Sequence, residues 1–503
     1  MNMLSRVFNI EENDTPDVVR EKIETSINDL TGKKADLIPF IGNLFSLDYD
    51  QNESVSPDFW KSSLQKAILE IFSAISRNRP TVICIEDIHW ADPSSNELIF
   101  HILSNFNFPA LFICVFRPYF KFSGSPLHHK LIELLTEIRL EELSPQDTIN
   151  MLVSMLKTEN IAADLLQVMQ NVEGNPFYLE EFVNSLVESN ILKHENEQWR
   201  LSKSIAKLEV PSTVQGVIAS RIDRLSNELK RVLQEASVIG RTFFYPILAR
   251  MTEVDGPINE YLSSLEKIDI VKIISFQPEL EYIFKHALIQ EVIYNGLLIE
   301  DRRKIHERIA EVMENLFSDR LHEIYEKLAF HFKHGQSIAK AVTYLIRSGQ
   351  KHLSRYSLEE SHQYFKEAFD LLTQNIGDTA DDKTLIIDLI FNWGMVFHHR
   401  GDFKGMEELF RSHENIAETL HDDTRLGEYY MWLGQALHLR LKTKESYRYL
   451  TSAYALGEKV NDKRVMGWAS AYLPSVCGFL GYQEQGTFYE RKAVELSNML
   501  TAE

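Results

Sequence analysis

Two adjacent carboxylates, Glu86 and Asp87, close a short apolar run early in the chain. The run is TVICI, and residues 83–95 together read ICIEDIHWADPSS. Carboxylates at the carboxyl end of a parallel strand lie where open α/β sheets bind their ligands. In a nucleotide hydrolase, one such carboxylate holds Mg²⁺ and the other can orient the attacking water. The pair by itself also fits a strand that merely ends at a charged turn. Without further residues, that structural interpretation is more frequent than a nucleotide site.

The residues around this pair predict a strand, a helix and a second strand. The second apolar run is ALFICVF, residues 110–116. Short runs rich in β-branched and aromatic residues are typical of strands covered on both faces of a parallel sheet. Between the runs, Asp92 can cap a helix and Pro93 suits its first position. Cys84 and Cys114 lie inside the runs, so we expect both thiols to be buried.

The composition is that of an ordinary globular protein with an acidic surface. Of the 503 residues, 44% are hydrophobic and 25% are charged, which allows about three domains. The formal charge of −20 comes from 53 basic and 73 acidic residues and disfavours nucleic acid as a partner. Three cysteines in no disulfide or zinc pattern, no signal peptide and no long apolar run predict a cytoplasmic protein without a membrane span.

From residue 144 onward the pattern is almost wholly helical, with one interruption. Near residues 265–285, two short apolar runs around Gln277 and Pro278 predict a β-hairpin, the usual wing of a winged-helix domain. The last third carries a forty-residue repeat. The repeated positions are occupied by Gly394, Gly434 and Pro474, and by Met406, Ser446 and Gly486. Small residues at helix contacts predict a solenoid of tetratricopeptide type with about four helix pairs, Gly349 and Ser361 marking a looser copy.

The acidic segment resembles the Walker B strand of the signal-transduction ATPases with numerous domains, a branch of the AAA+ class. It is most similar to the ATPase modules attached to bacterial adenylate/guanylate cyclases and to some kinases and transcriptional regulators. There the strand reads as apolar residues, two acids, an apolar residue and then His-Trp-Ala-Asp, matched here by Glu86, Asp87, His89, Trp90, Ala91 and Asp92. The resemblance implies ATP and Mg²⁺ as cofactors. It also implies that one of Glu86 and Asp87 binds the metal and the other orients water; Glu86 is favoured for the metal, with the reverse left open.

Three further stretches follow the order of the same family. Arg117 ends the second apolar run, where the resemblance implies a cation that senses the γ-phosphate; a solvated arginine at a strand end fits equally well. Asn175 and Pro176 belong to a Gly-Asn-Pro turn that implies a position beside the nucleotide, although alone such a turn is usually a helix start. Residues 211–225, 236–243 and 284–298 resemble the family's winged-helix region, which implies a lid and relay rather than a DNA reader.

One part of the family pattern has no counterpart. A phosphate-binding loop needs glycines for backbone contacts, a lysine for charge and a hydroxyl for Mg²⁺, and no G-x-x-x-x-G-K-[ST] occurs in these 503 residues. Gly32-Lys33-Lys34 has neither the upstream glycine nor the hydroxyl, and we expect a helix terminus there. We therefore expect either a chain that begins inside an ATPase domain or a degenerate module, with poor affinity for ATP.

These features predict an α/β class with a partial P-loop NTPase sheet, followed by an all-α winged-helix region and an α-solenoid, and a predominantly helical chain. The predicted domains are a partial NTPase core (1–145), a helical lid (146–205), a winged-helix-like domain (206–318) and helical repeats (319–503). Two functions fit. One is a nucleotide-dependent switch that regulates a cyclase, kinase or transcriptional output and senses a protein on its repeats. The other is a non-catalytic scaffold; either could be an oligomer or lack an N-terminal half.

Overall fold

A computed structural model describes residues 2–11, 14–32, 34–45, 47, 49, 57–120, 135–158, 161, 165–166, 174–195, 198–202, 213–275, 280–375 and 379–500. The chain divides into two compact units, each treated by itself below. The first comprises residues 1–133, 320–333 and 337–503, and the second comprises residues 134–319 and 334–336. The protein is predominantly helical, as predicted.

The N-terminal part of the first unit packs helices against a small sheet. Its elements are α1 (Asn2–Val7), α2 (Pro16–Thr31), α3 (Ile38–Leu44), α4 (Pro57–Asn78), β1 (Thr81–Ile85), α5 (Pro93–Asn105) and β2 (Ala110–Cys114). The strands pair in parallel, with Ile85 opposite Cys114, which confirms the predicted strand–helix–strand unit. Helix α2 ends at Thr31, and Gly32 follows it as a C-cap with a left-handed φ of 71°. This confirms the predicted helix terminus, although Lys33 lies outside the described residues.

Only one face of the β1–β2 sheet is covered, so the prediction of strands covered on both faces is wrong. Ile83 is buried, and Phe112 beside it packs on the core that α2, α3 and α4 form. Because side chains alternate along a strand, the next residues point the other way. Val82 is 63% and Leu111 57% exposed. Cys84 on this open face is exposed and Cys114 is half-buried, so the prediction of two buried thiols is also wrong.

The second unit combines short helices with two small antiparallel sheets. Its helices are α6 (Pro145–Leu156), α7 (Pro176–Glu188), α8 (Val214–Asp223), α9 (Asn227–Ile239), α10 (Tyr245–Met251), α11 (Ile258–Lys267), α12 (Ala287–Gly296) and α13 (Ile299–Leu316). Its strands are β3 (Leu192–Glu195), β4 (Gln198–Leu201), β5 (Thr242–Phe244), β6 (Val271–Ser275) and β7 (Glu281–Phe284). β6 and β7 pair antiparallel, as the hairpin prediction required, although Gln277 and Pro278, like Pro211, lie outside the described residues.

The repeats of the first unit are stacked helix pairs. The helices are α14 (Tyr325–His334), α15 (Ile338–Ser354), α16 (Leu358–Asn375), α17 (Ala380–His399), α18 (Phe403–Thr419), α19 (Asp423–Leu439), α20 (Thr443–Val460), α21 (Lys463–Leu480) and α22 (Gln483–Leu500). Four pairs, α15–α16 to α21–α22, pack in sequence, which confirms the predicted α-solenoid. Among the described residues, every helix is too short or too polar to cross a membrane.

The repeated small residues lie where the two helices of a pair touch. A Cβ added at Gly434 would lie 2.7 Å from Leu450 Cγ, too close without a shift. The Ser446 hydroxyl donates to the Gly434 carbonyl at 2.8 Å, and Ser361 does the same to Gly349, also at 2.8 Å. The small residues thus mark a recurring close contact between the two helices of a pair.

Candidate functional site

The acidic turn begins where β1 ends, and two backbone hydrogen bonds join its start to Val115, the residue after β2. The Val115 N–H donates to the Ile85 carbonyl at 2.9 Å, and the Ile88 N–H donates to the Val115 carbonyl at 3.1 Å. Between them, Asp87 takes a left-handed conformation with φ 53°, which aspartate tolerates better than most residues. Glu86 is exposed and Asp87 half-buried. Both carboxylates therefore follow the carboxyl end of a parallel strand, as the sequence predicted.

The other end of the turn is the start of α5. The Asp92 carboxylate accepts the Ser95 N–H at 2.7 Å and the Ser95 hydroxyl at 2.9 Å, and Pro93 occupies the first helical turn. This confirms the predicted cap. Capping engages Asp92, whereas Glu86 and Asp87 are the two carboxylates that directly follow β1.

His89 lies in the middle of the turn, inside a short 3₁₀ segment formed by Ile88–Trp90. Its ring centroid is 4.8 Å from that of Trp90 and 5.6 Å from that of Tyr119. Within the described part of the chain, neither ring nitrogen has a hydrogen-bond partner, although both are shielded from solvent. A shielded nitrogen without a partner is costly unless something binds it, so His89 joins the candidate residues. The sequence pointed to it only as one letter of a motif.

Arg117 lies at the same edge of the sheet as the two carboxylates. It is exposed and follows β2 by three residues, and its carbonyl accepts the Phe120 N–H at 2.9 Å. Because β1 and β2 are parallel, their carboxyl ends coincide, which places Arg117 on the side where Glu86 and Asp87 end β1. Whether it senses a phosphate stays a prediction.

Asn175 and Pro176 start helix α7 of the second unit. The Asn175 side chain accepts the Phe177 N–H at 3.0 Å and the Tyr178 N–H at 3.3 Å, and Pro176 is the first helical residue. Gly174 is required because an added Cβ would lie 2.4 Å from the Leu143 carbonyl oxygen. The local structure is a capped helix start, and the nucleotide role of both residues remains a prediction. Glu86, Asp87 and Arg117 are the predicted site residues that one sheet edge brings together.

A buried ion cluster joins the helix after this turn to the rest of the second unit. Arg221 is 3% exposed and donates to Glu181 at 2.8 Å, to Glu188 and to the Ile268 carbonyl. Burial raises the pKa of Glu181, and the nearby Arg221 opposes that rise only in part. Lys285 bridges Glu180, at 2.6 Å, and Asp269. The cluster ties α7 to α8, β7 and the segment after α11.

The side chains at the acidic turn suit a hard cation better than they suit phosphate. Mg²⁺ takes one or two carboxylates and completes its shell with water and substrate phosphates. Glu86 and Asp87 are two carboxylates at this turn, and their role as metal ligands stays a prediction. Within the described ranges, no group of three or more His, Cys, Asp or Glu side chains could hold a metal ion. For a phosphate group, this edge of the sheet offers the cation Arg117. It offers no phosphate-binding loop, because no G-x-x-x-x-G-K-[ST] occurs in the sequence.

No family model matches this chain. It is 25% identical over 339 residues to an uncharacterized protein of Rhizobium meliloti, covering 66% of this chain and 32% of that protein. It is 22% identical over 332 residues to the peroxide stress-activated histidine kinase mak2 of Schizosaccharomyces pombe, covering 62% of this chain and 14% of the kinase. The chain thus spans a third or less of the curated relatives it matches.

Solved structures also resemble the chain, at low scores. A signal transduction ATPase with numerous domains and a tetratricopeptide repeat sensor, from Pyrococcus horikoshii, matches with TM-score 0.38 and 12% identity over 98% of this chain and 77% of that one. The aspartyl phosphate phosphatase F of Bacillus subtilis matches with TM-score 0.32 and 11% identity over 68% and 77% of the two chains. Likeness at this level identifies no function.

Proposed function

We propose that this chain is the regulatory and sensing portion of a signalling ATPase. Its acidic turn contributes Mg²⁺ ligands to a nucleotide site, and its helical repeats bind a protein. The observation that carries the proposal is the sheet edge itself, where Glu86, Asp87 and Arg117 follow two parallel strands paired in register. Mg²⁺ would supply charge neutralisation of the phosphates there, Glu86 or Asp87 would hold the ion, and Arg117 would face the γ-phosphate.

The open face of the same sheet supports a site that further polypeptide completes. Parallel sheets are almost always covered on both faces, yet Val82, Leu111 and Ile113 are 63%, 57% and 42% exposed. A contiguous apolar surface of this kind typically marks contact with more protein. Since no phosphate-loop sequence occurs in the 503 residues, the phosphate contacts would come from the polypeptide that covers this face.

The likeness to a stretch of a histidine kinase supports the regulatory part of the proposal. Only 14% of that kinase is covered, so the matched region is one segment of a much longer chain. The resemblance to cyclase-associated ATPase modules supports the same arrangement, in which an output domain is attached or neighbouring. The nucleotide bound at the site would then shift the module between two conformational states. A protein bound to the repeats would shift the same equilibrium.

Titration of the isolated chain with labelled ATP and Mg²⁺ tests the nucleotide part. Without phosphate-loop contacts, we expect no saturable binding at micromolar ATP. We expect binding to appear when the chain is co-purified with a polypeptide that carries G-x-x-x-x-G-K-[ST], if the DNA flanking the Met1 codon encodes one, and Asp87→Asn to weaken it. Micromolar binding by the chain alone that Glu86→Ala abolishes would contradict the need for an external loop.

A second candidate function is a non-catalytic scaffold, and exposed aromatic residues on the repeats favour it. Trp468, Phe479 and Phe488 on α21 and α22 are 53%, 68% and 49% exposed, so three large aromatic side chains on neighbouring helices are accessible to a protein partner. If the flanking DNA encodes no phosphate loop and co-purified partners bring no ATP binding, the scaffold is the better description of the chain.

A further inference from the structure

A glutamate of the first repeat pair caps the helix that follows the acidic turn. Ser94 lies in the first turn of α5, and Glu360 lies in the first turn of α16, 266 residues later in the chain. The Ser94 N–H donates to Glu360 Oε1 at 3.0 Å, and the Ser94 hydroxyl donates to Oε2 at 2.8 Å. Glu360 is only 7% exposed and Ser94 is half-buried, so water has limited access to these bonds.

This contact completes the hydrogen bonding of the α5 N-terminus. The first N–H groups of a helix have no carbonyl partner within the helix. Pro93 has no N–H, the Ser95 N–H is taken by Asp92 Oδ1, and the Asn96 N–H by the Asp92 carbonyl. The Ser94 N–H is the remaining donor of the first turn, and Glu360 is its acceptor. A carboxylate at this position also interacts favourably with the positive end of the helix dipole.

A second contact holds the start of α16 in place. The ring of Tyr356, in the loop before α16, lies 6.1 Å from the ring of Trp60 on α4 and 6.0 Å from that of His399 on α17. Tyr356 has a left-handed φ of 53°, a costly conformation for a bulky residue that persists only where packing imposes it. The segment that carries Glu360 is therefore packed against α4, the helix that precedes β1, and against α17 of the repeats.

The acidic turn is thus held at two ends by different parts of the chain. At its start, the Ile88 N–H bonds to the Val115 carbonyl of the neighbouring strand at 3.1 Å. At its end, Ser94 bonds to the repeat through Glu360. Between these points lie Asp87 in the left-handed region and the 3₁₀ segment with His89. A shift of α16 would release one of the two ends.

We propose that Glu360 is a positioning residue for the acidic turn, so that the first repeat pair sets the geometry in which Glu86 and Asp87 are presented. The effect on metal ligation rests on the function proposed above, whereas the effect on the turn does not. A protein that binds the repeats and moves α16 would change the turn, and a cation bound at the turn would resist that movement by the same amount, since such coupling is reciprocal.

Hydrogen exchange of the full chain, read at single-residue resolution by mass spectrometry, tests the positioning role. In Glu360→Ala we expect the Ser94 amide to exchange about 10- to 100-fold faster, because it loses a bond to a charged acceptor. We also expect faster exchange across residues 87–92, because Ser94 links the end of this segment to Glu360. Glu360→Gln should restore most of the protection, since its carbonyl can still accept from Ser94. Glu359→Gln is the matched control, because Glu359 pairs with Arg400 at 3.0 Å instead.

Two outcomes separate this proposal from the function on which its last step rests. If Ser94 loses protection in Glu360→Ala while residues 87–92 are unchanged, Glu360 is only a cap and the positioning role is wrong. If Glu360→Ala does not fold, Ser94→Ala, which removes only the hydroxyl bond, must still accelerate exchange of residues 87–92. Mn²⁺ titration followed by water proton relaxation measures the ligation step. Should neither the variants nor the wild type bind Mn²⁺ while exchange responds as expected, the positioning role stands and metal ligation by the acidic turn of the isolated chain is refuted.

Discussion

Replacing Glu407 by glutamine should lower the local stability of the helical repeats around it, and the difference from the wild type should shrink at low pH. Glu407 is buried between three cations, Arg411 at 2.7 Å, Lys442 at 2.7 Å and Arg440. Burial acts to raise the pKa of this carboxyl, but hydrogen bonds from Lys442, Arg411 and Arg440 outweigh it and lower the pKa from 4.5 to about 2. The negative charge is therefore favoured in the folded protein.

The fall in pKa corresponds to about 3 kcal/mol, because each factor of ten in proton affinity is worth about 1.4 kcal/mol. The three cations are about one-third exposed, so water screens them and about 2 kcal/mol is a better expectation. A carboxyl whose pKa falls on folding stabilises fully above its unfolded pKa, and that contribution disappears as pH falls through the folded value. The advantage over Glu407→Gln should be complete at pH 7 and shrink steadily between pH 4.5 and pH 2.

Hydrogen exchange of α18, α19 and α20, corrected for the pH dependence of the intrinsic amide rates, measures this local stability. At pH 7 we expect about 30-fold faster exchange in the variant, the factor that about 2 kcal/mol implies. Glu408→Gln is the control, since its carboxylate is 66% exposed and lies 3.7 Å from Lys404. Unchanged protection at pH 7, or a difference that stays the same at pH 3, would refute the argument.

Two further substitutions test packing and the second ion cluster. Gly434→Ala should lower the free energy of unfolding by about 1–3 kcal/mol, because the new methyl group must displace Leu450. The control is Gly478→Ala, whose methyl group meets open space and should be neutral or slightly stabilising. Thermal unfolding followed by circular dichroism compares the two variants, and equal melting temperatures would count against the contact. Arg221→Met should cost about 3–5 kcal/mol, because Glu181 stays buried without its cation. Adding Glu181→Gln to that variant should recover part of the loss, and a urea titration in which the double variant is no more stable than the single one would contradict this explanation.

Local patterns in the sequence were enough to locate the acidic turn and the repeats. The apolar run before Glu86 predicted a parallel strand, Asp92 and Pro93 predicted a helix start, and the forty-residue spacing of Gly394 and Gly434 predicted contacts between paired helices. Each of these features depends on neighbours a few residues away or on a repeated local unit, so a linear pattern records it. The absence of a phosphate-loop motif can likewise be established from the amino-acid sequence without a structure.

Other features depend on which segments meet, and composition is a poor guide to them. The apolar runs predicted strands covered on both faces, but whether a face is covered depends on what packs there, and Val82 and Cys84 are exposed. The shielded ring nitrogens of His89, which lack a hydrogen-bond partner among the described residues, were equally invisible in the sequence. One of the rings beside them belongs to Tyr119, which follows the second strand.

The amino-acid sequence alone determined the helices, the repeat period and the position of the two acids after β1. These features follow from side-chain periodicity, helix capping and short-range sterics. Only the folded chain decided that one sheet face stays open and that Glu360 reaches Ser94 across 266 residues. A hydrogen bond between residues so far apart in sequence leaves no local pattern, since either side chain could have found another partner or water.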